Sequence, residues 1–345
     1  MKKRDGFETT PVSERNPPQR KDHWFREMML SAGGAWFFVM TVPGVAILVG
    51  LLYLAVARIN GGSNGSTVVT YTSQDQVYAE PILKQFERQS GIRVRAVYDS
   101  EAVKTVGLAN RLLAEKNHPQ CDVFWNNEEL RTRQLAAKGI FGTWAATGYR
   151  SRRIAVNTNK LSLATAPHSL TELTNEIWRG KVSLAYPLFG TTATHVLALR
   201  QFWGAERWLA WCRALAANKP FLVDGNSIAA KLVGSGEAWV GLTDSDDIAA
   251  EQREGARVTA LPLTEESLLI PNTVAVVRGA PHAHAAQRLF EFLQRPDVVE
   301  KLVAANALEG SSPQGVATGT LKPDWDELLG ELEKGTAELK GIFLR

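Results

Sequence analysis

Cysteine is scarce: Cys121 and Cys212 are the only two in 345 residues, so neither a disulfide scaffold nor a paired-cysteine metal motif exists. Cys121 opens the apolar run CDVFW and Cys212 sits within RWLAWCRAL. Both therefore read as small core residues rather than bridge partners. No Gly-Lys-Ser/Thr phosphate loop and no His-Glu-x-x-His helix occur, which removes the sequence marks of nucleotide hydrolysis and zinc proteolysis. The expectation is a protein that is not an enzyme. One-sided charge is also missing. Up to Arg58, eight of the 39 basic residues face five of the 36 acids, so the rest of the chain holds 31 of each. A neutral body without a long basic run excludes nucleic acid as a partner, because that affinity comes mostly from phosphate neutralisation.

What the sequence does have begins with an apolar run. Residues 35–57 are 23 residues without a charge, long enough to cross a bilayer as a helix. Seven of the eight early basic residues precede it, which places the N-terminus in the cytoplasm and the body outside. The expectation is a cytoplasmic tail over 1–34, a transmembrane or signal-anchor helix over 35–57 and a Gly/Ser/Asn linker over 58–66, with cleavage after Ala57 as the alternative to a retained anchor.

Beyond the linker, strand-like and helix-like patterns alternate. The first half reads as strands over 68–72, 92–98 and 121–125, with helices over 81–89, 106–115 and 128–138. The second half reads as strands over 152–157 and 181–186, separated by a helix that opens on the capping box Ser169-Leu170-Thr171-Glu172 and stops at Gly180. Helices over 191–203 and 205–218, strands over 221–223, 239–243, 257–263 and 268–278, and helices over 227–234, 248–254, 285–294, 298–305 and 324–334 follow. Trp203, Trp208 and Trp211 lie at helical spacing with Leu209 and Leu215, as core residues do. Such alternation over residues 68–334 predicts an α/β fold with two lobes rather than one core.

Five strand exits are polar: 71–75, 125–128, 186–192, 224–227 and 243–247. Ligands in open α/β sheets bind at such exits, although the same residue types also cap helices. The candidate ligand-binding residues are Ser73, Gln74, Asp75, Asn127, Tyr186, Thr191, Thr192, Asn226, Ser227, Asp244 and Asp246. The start Gly190-Thr191-Thr192 also suits a phosphate, carboxylate or carbonate, whereas His195 one turn later reads as structural.

The segments VVTYTSQDQVYAEPILKQFERQSGIRVRAVYDSEAVKTVGLANRLLAEK, CDVFWNNEELRTRQLAAKGIF, YPLFGTTATHV, GLTDSDD and LIPNTVAVVRGAPH, in this order, resemble the solute-binding proteins of ABC importers in the branch of periplasmic ferric-ion binders. The resemblance implies a two-lobed, type II periplasmic-binding-protein fold with hinge strands near 152–157 and 270–277. It places lobe one at 67–157, lobe two at 158–268, a return crossing and the rest of lobe one at 269–310, and a C-terminal helical segment at 311–345. It implies a monomer that binds a small solute and delivers it to an inner-membrane ABC permease, with Fe3+ and a synergistic anion as the transported cargo. Ferric members use a tyrosine pair where this chain reads Thr243-Asp244-Ser245-Asp246-Asp247, so metal ligation falls instead to Asp75, Asp244 and Asp246, which would equally suit an amine. A binder of an organic anion or amine, and a membrane-anchored solute sensor, stand as the alternatives.

Overall fold

The computed structural model describes residues 66–98, 106–313, 316 and 319–344. The tail and apolar run expected over 1–57, and the linker expected over 58–66 except its last residue, lie outside these residues, and none of the described helices is long and apolar enough to cross a membrane.

The first sheet is built from β1 (Thr67–Thr72), β2 (Arg93–Tyr98), β3 (Val123–Asn126), the first part of β4 (Phe141–Asn157) and β9 (Leu269–Val277), in the order β2-β1-β3-β9-β4. β1 runs parallel to β2 and β3, whereas β9 is antiparallel to both β3 and β4. The last part of β4 enters a second sheet, where it pairs with β7 (Val240–Asp244) and β8 (Val258–Ala260); β5 (Val182–Ala185) and β6 (Phe221–Val223) continue beyond β7. Pairing passes from Ser151↔Leu269 to Arg152↔Asp244 in one residue step. The two lobes therefore join along β4 itself.

Helices α1 (Gln76–Ser90), α2 (Val106–Ala114), α3 (Glu129–Ala137), α8 (Ala283–Leu293) and α9 (Pro296–Ala304) cover the first sheet. Alternation along β3 sends Val123 and Trp125 to one core, with Ile82, Phe86 and Leu289, and Phe124 to another, with Leu108, Leu112 and Leu135. The second sheet carries α4 (Gly190–Trp203), α5 (Ala205–Ala217), α6 (Asn226–Ser235), α7 (Ser245–Arg253) and α10 (Trp325–Phe343). Trp208, Trp211 and Cys212 pack into its main core with Leu184, Leu197 and Leu332. Both cysteines are free and buried, and they belong to different cores.

Three expectations fail for local reasons. The capping box after Ser169 opens two 3-10 turns, Thr171–Thr174 and Glu176–Trp178, not a helix. Asn218 Nδ2 donates to the carbonyls of Leu173 and Asn175, which a helix would have used itself. α1 starts five residues before Pro81, with Asp75 in the N-cap position, and contains the proline; the carbonyl that Pro81 leaves without a partner belongs to Val77, which is exposed to water. α10 runs nine residues past 334, through Gly335, whose lack of a side chain admits Leu197 of α4.

Candidate functional site

Five strands end at one small cavity of about 40 Å³. β1 delivers Asp75, β3 delivers Asn127, β5 delivers Tyr186, β6 delivers Asp224 to Ser227, and β7 delivers Asp244 and Asp247. Of the candidates from sequence, Asp75, Asn127, Tyr186, Thr191, Asn226, Ser227 and Asp244 line it. Ser73, Gln74, Thr192 and Asp246 do not. Ser73 instead ties the β1 and β3 exits together: its Oγ donates to Asn126 Oδ1 at 2.6 Å and accepts the Asn127 N–H at 2.9 Å. Gln74 turns back on its own strand end through a 3.0 Å bond from its N–H to Thr72 Oγ1. Thr192 Oγ1 donates to Asn226 Oδ1 at 2.8 Å and so positions a lining residue.

The acids expected to hold a cation meet arginines instead. Arg150 Nη2 lies 3.2 Å from Asp244, and its Nη1 pairs with Asp246. Arg152 Nη1 lies 2.8 Å from Asp244 and 2.9 Å from Asn226 Oδ1, and its Nη2 donates to the carbonyl of Leu242 at 3.1 Å. Burial pushes the Asp244 carboxyl up, but the two guanidinium groups outweigh it and hold the group below the ordinary carboxylate range. Burial likewise opposes the charge on Arg150, and Asp246 and Asp244 more than restore it. The carboxylates of Asp244, Asp246 and Asp247 do lie within 4.8 Å of one another, as metal ligands would. Yet Asp75 stands outside that group, and two of its three members already serve arginines. A cation here would have to displace Arg150.

These arginines are the residues that sequence reasoning missed. The signal was present in GYRSRRIAVN, where a strand period of two places Arg150 and Arg152 on one face. Reading the strand only from 152 lost it; β4 starts at Phe141.

Two helices start at the same cavity without a side-chain cap. The N-cap of α4 is Phe189 and that of α6 is Gly225, and neither donates or accepts a capping hydrogen bond through a side chain. The first N–H groups of a helix have no partner within it, so two positive helix ends present unused donors to one space. Gly190, at φ 54°, allows the tight entry into α4. Arg150 and Tyr186 also line the cavity, the charge of Arg150 being met by Asp244 and Asp246. Asp75, Asp224 and Asp247 supply acids around it.

Residues 67–305 match the family described as bacterial extracellular solute-binding protein. The chain is 22% identical over 284 residues to the major ferric iron-binding protein of Neisseria gonorrhoeae, covering 74% of this chain and 84% of that one. It is 24% identical over 278 residues to a putative 2-aminoethylphosphonate-binding periplasmic protein of Salmonella paratyphi A, covering 70% of this chain and 81% of the relative. The periplasmic binding protein AfuA of Actinobacillus pleuropneumoniae, solved with fructose-6-phosphate bound, superposes with a TM-score of 0.72 at 19% identity, over 82% of this chain and 99% of that structure. At that identity the likeness concerns the two-lobed fold.

Proposed function

The chain belongs to the bacterial extracellular solute-binding proteins, and we propose that its cleft captures a small solute by an oxyanion head, a phosphate or a phosphonate, as the substrate-binding component of an ABC importer. The observation that carries this reading is the pair of helix starts at Phe189 and Gly225 that face one cavity. Their N–H groups bind the head, and Asp75, Asp224 and Asp247 receive a positively charged or hydroxylated body. The relative that carries 2-aminoethylphosphonate in its name has a solute of this kind, acidic at one end and basic at the other. The apolar run over 35–57 tethers the protein outside the cytoplasm, close to its permease, and the protein works there as a monomer.

A second reading, iron carried with an anion, draws on the ferric relatives and on the oxygen donors Asp75, Tyr186, Asp224 and Asp247. Calorimetric titration of protein freed of bound solute separates the two. Micromolar binding of 2-aminoethylphosphonate or inorganic phosphate without iron supports the oxyanion reading. Binding that appears only when Fe3+ is supplied with the anion overturns it in favour of the second.

A further inference from the structure

Sorting the groups around the cleft by what already holds them separates frame from contact. Asn226 uses both ends of its amide: Oδ1 accepts from Arg152 at 2.9 Å and from Thr192 at 2.8 Å, and Nδ2 donates to Thr191 Oγ1 at 2.9 Å. Thr191 in turn donates to Asp244 at 2.7 Å. These residues tie the starts of α4 and α6 to each other and to the end of β7. Asn127 is different. It is 5% exposed and lines the cavity, yet only one end of its amide is met, by Ser73 Oγ at 3.0 Å. The other end has no partner among the described residues and is not sealed from the cavity. Buried polar groups in folded proteins are met, and here only an occupant of the cavity can meet this one.

Charge around the cavity decides which occupant fits. The guanidinium groups of Arg150 and Arg152 face the carboxylates of Asp244 and Asp246, and Asp247 and Asp75 also act on Arg150. Asp224 stands apart from this set: it lines the cavity, and no described residue pairs with it. Two positive groups are thus set against five negative ones, and the starts of α4 and α6 add about half a positive charge each, which leaves about two negative charges unmatched. Asp224 also directly precedes Gly225, the N-cap of α6, and so stands beside the N–H groups assigned to the solute head. A plain anion there is repelled by the neighbouring carboxylate. A solute that brings its own cation is attracted at both ends.

Resting on the oxyanion reading of this cleft, we infer that Asp224 sets its specificity: the carboxylate takes an ammonium group carried on the same molecule as the head, so the solute is a zwitterion, an aminoalkyl phosphonate, and a plain anion is turned away. 2-Aminoethylphosphonate and ethylphosphonate share the head and differ by the ammonium group. Calorimetry with each, on the full-length protein freed of bound solute and without iron, tests the inference. The unmodified protein should bind 2-aminoethylphosphonate at least about fivefold tighter than ethylphosphonate. Asp224→Asn should weaken the former at least about threefold and tighten the latter about twofold. A damaged fold or a distorted helix start would lower both affinities, so this crossing marks a charge contact. Asp224→Glu, which keeps the charge, should retain the order of the two. Three results overturn the inference and leave the oxyanion reading in place: a smaller preference in the unmodified protein, a preference that survives Asp224→Asn, or both affinities falling together in that variant. Failure of both phosphonates to bind overturns the oxyanion reading, and the inference with it.

Discussion

Asp244 shows how a side chain's role changes once its partners are known. As a sequence feature it is one acid of TDSDD, a loop fit for a cation. In the fold it is the shared counter-charge of two buried arginines, and Thr191 Oγ1 also donates to it at 2.7 Å. Asp244→Asn should therefore destabilise the protein by about 3 kcal/mol, because it leaves two guanidinium groups short of a partner in a dry site. Urea denaturation measures this, and a loss below about 1 kcal/mol would contradict the pairing described. His195 gives a pH signature. From its ordinary 6.5 down to about 3, the unfolded chain protonates this ring and the folded chain does not, so its contribution to stability falls as pH drops through that window, by up to about 1.4 kcal/mol per unit. Glu128, Glu129 and Glu266, each raised above 4.5 chiefly by burial, act in the opposite sense just above that value. Comparison with His195→Gln cancels them: the variant should gain on the parent protein as pH falls from 6.5 toward 4.5, and parallel stability curves would refute the neutral buried imidazole. Polar strand exits were legible from residue types alone. Which exit residue turns inward was not, since Ser73 and Asp75 differ only in the partners the fold brings to them.

At the level of elements, the starts of α4 and α6 carry the functional weight, and one substitution separates stability from binding. Phe189 is 37% exposed, with an extended backbone suited to a capping residue. Phe189→Asp would supply the missing cap, so the melting temperature should hold or rise, by the equivalent of up to about 1 kcal/mol. The same carboxylate would occupy the N–H groups assigned to the solute head, and affinity for phosphate or 2-aminoethylphosphonate should drop at least about tenfold. Unchanged affinity in a protein of raised stability would remove α4 from the site. Most elements could be read from periodicity, because each buries one face. Those that could not are the ones whose backbone partners are remote in sequence. The 3-10 turns before Gly180 depend on Asn218, some forty positions later, and the early half of β4 depends on β9. The stretch GTWAATGYRS has little alternation of its own, and its bulge between Ala146 and Tyr149 accommodates Gly148 at φ 102°.

At the scale of the whole molecule, contacts across the cleft hold the lobes together. Arg253, at the end of α7, donates to the Tyr78 hydroxyl on α1 and to the carbonyl of Ala305 beyond α9, at 2.6 Å for the latter. Arg253→Ala should favour the open form: radius of gyration without solute should rise, and solute affinity should fall about fivefold, or about 1 kcal/mol. Small-angle scattering and calorimetry check the pair, and a radius of gyration identical to that of the parent would show that the clasp does not govern closure. That two lobes exist was readable from length and alternation, and the resemblance put a crossing near 152–157; that one strand from Phe141 on carries it was not readable, since β4 continues through the junction without a turn. The position of β9 also sets a timetable. β9 lies between β3 and β4, so the first sheet lacks its middle strand until residue 277 has been synthesised, while β5, β6 and β7 of the second sheet are already available. The segment that is made first is thus the last to complete its fold. Until β9 arrives, β3 and β4 keep open edges and the first lobe stays an unfinished chain, the condition in which a polypeptide can still be threaded across a membrane.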